Sequence, residues 1–147
     1  VVVDRLVVQG QIVGVHLRLE GNGTVGAVAD AAGAVVLAAR ITRESAELLG
    51  LQPGLAVLAL CKATAVRVER GGRAASARVT AAPAGTLRLS GRATRVVRGE
   101  SGDEVSAELA AGLHMVGFAA PHSGLRAGSA VVLVVEENAV VLALAEL

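Results

Sequence analysis

The chain has 147 residues and almost no aromatic side chains: one Phe, no Tyr and no Trp. Small β-barrels that hold single-stranded nucleic acid do so largely by stacking bases on aromatic rings, and Phe118 alone cannot supply that platform. The same shortage argues against a sugar site or a site for a large planar cofactor. The single cysteine, Cys61, excludes an internal disulfide and suits the reducing cytoplasm. Although 53% of the residues are hydrophobic and only 18% charged, no run approaches the roughly 18 uninterrupted apolar residues of a membrane helix. Apolar runs such as Ala34 to Ala39 and Ala130 to Val135 have the length of strands. The first segment carries Asp4 and Arg5 and has no small-residue cleavage site, so no signal peptide is expected. A net charge of +1 gives no long-range pull toward nucleic acid or an acidic membrane.

What is present is a repeat. Gly50-Leu51-Gln52-Pro53-Gly54-Leu55-Ala56-Val57 returns as Gly124-Leu125-Arg126-Ala127-Gly128-Ser129-Ala130-Val131, at an offset of 74 residues. The match continues without a gap to Ala65-Val66 and Ala139-Val140. One supersecondary unit is therefore used twice. The glycines and apolar positions are kept, while Lys62 becomes Glu136. Where the fold is kept and a charge is reversed, the charge points to function. Two units of this size would each be marginal alone.

Short apolar-alternating stretches are separated by turns. Leu6 to Leu19 reads as one or two strands, with Gly10 and Gly14 as bulges or close-approach points. Glu20-Gly21-Asn22-Gly23 is a turn, and Thr24 to Ala29 with Ala34 to Arg40 form the arms of a hairpin. Thr42 fits a helix N-cap, Arg43 to Leu49 the helix body, and Gly50 its left-handed stop. A turn at Gln52-Pro53-Gly54 precedes strands over Leu55 to Leu60 and Ala65 to Glu69. The second copy repeats the order: strands over Leu87 to Val97, Glu104 to Leu109, Gly112 to Ala120, Ala130 to Val135 and Ala139 to Leu144. It has 12 residues from Gly112 to Gly124 where the first copy has 17 from Gly33 to Gly50. The helix of the first copy should thus be a shortened segment or a turn in the second, at Pro121. The expectation is an all-β chain of two OB-like five-stranded Greek-key barrels in tandem, each with at most one short helix. The first unit would span 1–70, a Gly-, Ala- and Ser-rich linker 71–85, and the second unit 86–147.

Thr42, Ser45, Lys62 and Arg5 form the main chemical constellation. Two hydroxyls at a helix start, the free amides there and two cations suit a tetrahedral oxyanion. The competing account is a helix cap and solvated surface charges. His16, His114 and His122 match no metal-ligand spacing. Cys61 lacks an identifiable base and reads as a strand residue. The pairs Asp103-Glu104 and Glu136-Glu137 lie near turns, where a hard cation is a minor alternative. Gly21-Asn22-Gly23 is not a phosphate loop.

Ile41-Thr42-Arg43-Glu44-Ser45, Leu49-Gly50-Leu51-Gln52-Pro53-Gly54, Cys61-Lys62-Ala63 and Val66 resemble the mop, or TOBE-type, molybdate-binding domain. The resemblance covers the chain as a tandem pair and is densest over Ile41 to Val66. It implies OB-like barrels that bind molybdate or tungstate between barrels and are not enzymes. Carried over, it places Thr42, Ser45, Lys62 and the backbone amide of Ala63 on the oxyanion. Of the family's Ser-Ala-Arg-Asn stretch only Arg5 matches, within Val3-Asp4-Arg5-Leu6, and Asp4 is an unfavourable neighbour for a dianion. Counted back from Gly91, the second copy has Ala84-Gly85-Thr86-Leu87 and no match. Because Glu136 replaces the lysine and the Thr-x-x-Ser pattern is missing, no equivalent site is expected in the second unit. The resemblance implies the sensor region of a molybdate-responsive transcriptional regulator, acting as a homodimer and meeting DNA only through an upstream domain, with no membrane partner. The alternatives are a free-standing molbindin for storage, the tail of a molybdate-importer ATPase, and a ligand-free interaction module.

Overall fold

The computed structural model describes residues 1–18, 35–72, 85–109 and 112–145. The Glu20–Gly23 turn, the Thr24–Ala29 arm and most of the expected linker lie outside them. Among these residues ten strands and one α-helix follow in order: β1 Val2–Gln9, β2 Ile12–Arg18, β3 Val35–Thr42, α1 Arg43–Leu49, β4 Val57–Cys61, β5 Val66–Arg70, β6 Thr86–Val97, β7 Asp103–Leu109, β8 His114–Ala119, β9 Ala130–Glu136 and β10 Val140–Leu144. The all-β expectation holds, and so does the OB-like barrel. No described helix is long and apolar enough to cross a membrane.

The chain divides into two compact units: Val1–Leu60 with Glu137–Leu147, and Cys61–Glu136. These do not coincide with segments 1–70 and 86–147, which mark the sequence repeat. Each copy contributes its first four strands to one unit and its fifth to the other. β5 lies in the second unit, antiparallel to β9 and joined to β8 in parallel at Arg67 and Phe118. β10 lies in the first, paired with β4. The chain passes over through single 3-10 turns at Ala63–Ala65 and Glu137–Ala139. Lys62 and Glu136, the repeat's charge reversal, immediately precede these two turns.

In the first unit β1, β2 and β3 form an antiparallel sheet. β2 alternates cleanly, burying Val13, Val15 and Leu17 and turning Gly14, His16 and Arg18 outward. Gly10 is not a bulge. It has φ 65° and opens the two-residue turn between β1 and β2, a place where primed turns favour glycine. Gly14 is an ordinary ladder residue opposite Val7. The bulge falls at Asp4, where the register shifts between Val3 and Arg5. Val3 N–H donates to Leu55 O and Val57 N–H to Val1 O, tying β4 to β1.

In the second unit β5, β8, β7, β6 and β9 close a barrel in that order. Val105, Val131, Leu133 and Val135 are its innermost residues. Its β6–β7 hairpin repeats the first unit's β1–β2 hairpin, with the register shift now between Ala93 and Arg95. Ala93 N–H donates to Ser129 O as Val3 N–H does to Leu55 O.

The repeated glycines are explained by backbone conformation. Gly50 and Gly54 have φ 65° and 90°, and Gly124 and Gly128 have 72° and 93°. Only glycine adopts that region without a Cβ penalty. Gln52 O accepts from Leu55 N–H across Pro53-Gly54, and Arg126 O accepts from Ser129 N–H across Ala127-Gly128. Pro at the second position and a left-handed Gly at the third make the first a type II turn.

Candidate functional site

The helix start forms as its residue types dictate. Thr42 is extended (φ −76°, ψ 152°), and its Oγ1 accepts from Ser45 N–H at 3.1 Å. The Thr42 hydroxyl donates to Ser45 Oγ at 2.8 Å, leaving the Ser45 hydroxyl hydrogen free for a further acceptor. Arg43 N–H donates to Gln11 O at 2.8 Å. Two amides of the first turn are therefore already engaged, fewer free donors than the helix start suggests from sequence. At the other end Gly50 N–H donates to Glu47 O and Leu51 N–H to Ala46 O. This is the paired bonding of a Schellman stop, with Ala46 and Leu51 buried beneath it.

Arg5 is exposed on β1, opposite His16. Thr42 is opposite Ile12, four residues away along β2, and one strand further over. At roughly 3.3 Å per residue and about 4.8 Å per strand, that is about 13 Å along the sheet and about 10 Å across it. The first unit thus brings Thr42 and Ser45 together and keeps Arg5 away from them. One tetrahedral oxyanion cannot touch both within this unit. Lys62 and Ala63 belong to the second unit, with Lys62 exposed and Ala63 half-buried at the 3-10 turn. The Lys62 carbonyl accepts from Ala65 N–H at 2.9 Å.

Asp4 is not a bare charge. Arg18 Nε lies 3.4 Å from its Oδ1, and both side chains are about one-third exposed or less (33% and 29%). The matching bulges correct the equivalence made by counting back from Gly91. Val3-Asp4-Arg5 corresponds to Ala93-Thr94-Arg95, so the second copy keeps the arginine. Arg95 was missed because the offset is 90 residues on the first strands and 74 on the last. The signal was an arginine two residues after a buried small residue.

Where the first unit has α1, the second turns at Pro121 and His122 without a helix, and His122 takes φ 59°. Asp103, 1% exposed, holds this corner. It accepts from Ser123 Oγ at 2.7 Å, Arg98 Nη1 at 2.9 Å, and Gly99 and Ser123 N–H at 3.4 Å each. Arg98 Nη2 also donates to Leu125 O. The Ser123 hydrogen bond foremost, with Arg98 and the two amides, outweighs burial and holds the Asp103 carboxyl at about 2. A recess of about 690 Å³ beside it is lined by Arg98, Gly99, Glu100, Asp103, His122 and Gly124.

Both carboxylates of the second acidic pair also have partners. Glu136 accepts from Thr86 Oγ1 through both oxygens (3.2 and 3.1 Å), and Glu137 pairs with Arg40 at 3.4 Å. Among the described residues no three His, Cys, Asp or Glu side chains gather as a metal site. Burial pushes the Cys61 thiol up, away from thiolate.

A family model of the TOBE domain matches residues 1–68. None of the curated proteins matches the chain in sequence. Among solved structures the chain is similar to the cytoplasmic molybdate-binding protein ModG, in a PEG-grown crystal form with molybdate bound. The TM-score is 0.69 at 22% identity, over 97% of this chain and 92% of that one. At that identity the likeness establishes the fold. The stretch matched by the TOBE model contains Arg5, Thr42, Ser45, Lys62 and Ala63.

Proposed function

We propose that the protein binds molybdate or tungstate in the cytoplasm, as a binding protein rather than an enzyme. The observation that carries this reading is the TOBE match over residues 1–68, the stretch in which Thr42 and Ser45 fold into a hydroxyl pair at a helix start. Ser45 contributes a free hydroxyl hydrogen, Lys62 and Arg5 contribute charge, and Ala63 a backbone amide. Charge-assisted hydrogen bonds of this kind offset the desolvation of a dianion. Because Arg5 is far from Thr42 and Ser45 within its own unit, a site using all of them is completed by a second copy of the chain. That reading requires a homodimer. The module serves in a regulator's sensor region, in a free-standing oxyanion-binding protein and in an importer tail, and binding of the oxyanion is common to all three.

Isothermal titration with sodium molybdate and sodium tungstate, with sodium sulfate as control, tests the proposal. Molybdate and tungstate should release or absorb heat, and at a hundredfold excess over the dissociation constant should stabilise the fold by about 2.7 kcal/mol. Lys62→Glu should abolish both effects. No heat and no melting shift with either oxyanion would sink the proposal.

A further inference from the structure

We infer that Arg18 is a positioning residue for the proposed oxyanion site, neutralising Asp4 so that Arg5 can meet a dianion; this rests on the functional reading above. On a regular strand Asp4 and Arg5 would point to opposite faces. The bulge changes that. Arg18 and His16 share the outward face of β2, and His16 is the cross-strand partner of Arg5. Since Asp4 reaches Arg18 at 3.4 Å, its carboxylate lies on the same outward face as Arg5. A bare carboxylate there would repel the anion that Arg5 is proposed to hold. Arg18 removes that charge while leaving Arg5 without a carboxylate partner among the described residues.

The second copy supplies an internal control. At the same offset of 90 residues Asp4 becomes Thr94 and Arg18 becomes Glu108, while Arg5 remains arginine as Arg95. Thr94 there donates to Ser106 O at 3.1 Å. The basic residue is present where the bulge holds an acid and absent where it does not, as neutralisation requires.

The test is molybdate titration of the full chain as the parent and as Arg18→Gln, Asp4→Asn and Asp4→Asn/Arg18→Gln. A unit charge roughly 7 Å from a dianion in a water-like medium changes its affinity by about tenfold. Arg18→Gln should therefore bind molybdate about tenfold more weakly, and the double variant should return to within about threefold of the parent. Asp4→Asn should bind at least as tightly as the parent, an outcome that does not depend on how Arg18→Gln folds. Two results overturn the inference: Arg18→Gln binding like the parent, or the double variant staying as weak as Arg18→Gln. Weakened binding by Asp4→Asn does so too. A parent with no affinity for molybdate instead removes the functional reading, and this inference with it.

Discussion

The two units answer the same structural problem with opposite chemistry. Between its third and fourth strands the first unit inserts a seven-residue helix, started by Thr42 and stopped at Gly50. The second omits the helix and fills the corner with Asp103, which stands at the register position of the buried Val13. One unit solves the connection with local backbone bonding and an apolar core. The other uses a buried carboxylate with four hydrogen bonds. The helix start leaves the Ser45 hydroxyl hydrogen free, whereas the four donors around Asp103 are already committed to its carboxylate. Under the proposed function the anion is therefore met at the helix of the first unit, not at the corner that replaces it.

The comparison can be broken most strongly at Gly117. Its place in β8 is taken by the fully buried Ala39 in β3 of the first unit. A Cβ on Gly117 would stand 2.7 Å from both Val66 Cγ1 and the Val66 carbonyl oxygen, and 2.9 Å from Val68 Cγ2. Those atoms belong to β5, the strand the first copy gives to the second unit. Gly117→Ala, a change to the first unit's own residue, should cost about 3 kcal/mol, because backbone must move. Urea unfolding measures it. An unchanged midpoint would mean that β5 does not approach β8 this closely.

The corner of the second unit is next. The Asp103 carboxyl is held at about 2 against an ordinary value of 3.8. A depressed folded pKa adds stability above the ordinary value, lost as pH falls through the folded one. The second unit should accordingly lose stability between about pH 4 and about pH 2. Asp103→Asn should remove that acid dependence and lower stability at pH 7, since the amide is a poorer partner for Arg98. Thermal melts over that pH window check both. A parent and variant with parallel acid profiles would place the titrating groups elsewhere.

Much of the fold was legible because local chemistry decided it. The helix limits, the type II turn at Gln52-Pro53-Gly54 and the missing helix at Pro121 each follow from one or two residues whose backbone preferences are narrow. The exchange of β5 and β10 was not legible. Val66–Arg70 and Val140–Leu144 have the same apolar alternation and would satisfy either unit, so sequence pattern does not say which one receives them. The site was legible to the same extent. Thr42 and Ser45 are joined by a local contact that spacing predicts. The separation of Arg5 from them depends on strand register, and Arg95 was hidden because the repeat changes offset between its first and last strands.

The smallest expected effect concerns the cap itself, and it separates stability from binding. Thr42→Ala removes the acceptor for Ser45 N–H and the donor to Ser45 Oγ. Loss of an N-cap typically costs about 1 kcal/mol, and the second unit, which has no helix here, should be unaffected. Thr42→Ser keeps the cap oxygen and its hydrogen, so it should retain most of that stability. If the hydroxyl pair serves only the helix, molybdate affinity will follow the melting temperature through both variants. If the pair also serves the anion, Thr42→Ala should lose affinity beyond what its small destabilisation explains, because the Ser45 hydroxyl is no longer oriented. Melting and titration on the same two variants distinguish these outcomes. Affinity unchanged in Thr42→Ala would make the helix start a structural cap and confine the anion's contacts to Lys62, Ala63 and Arg5.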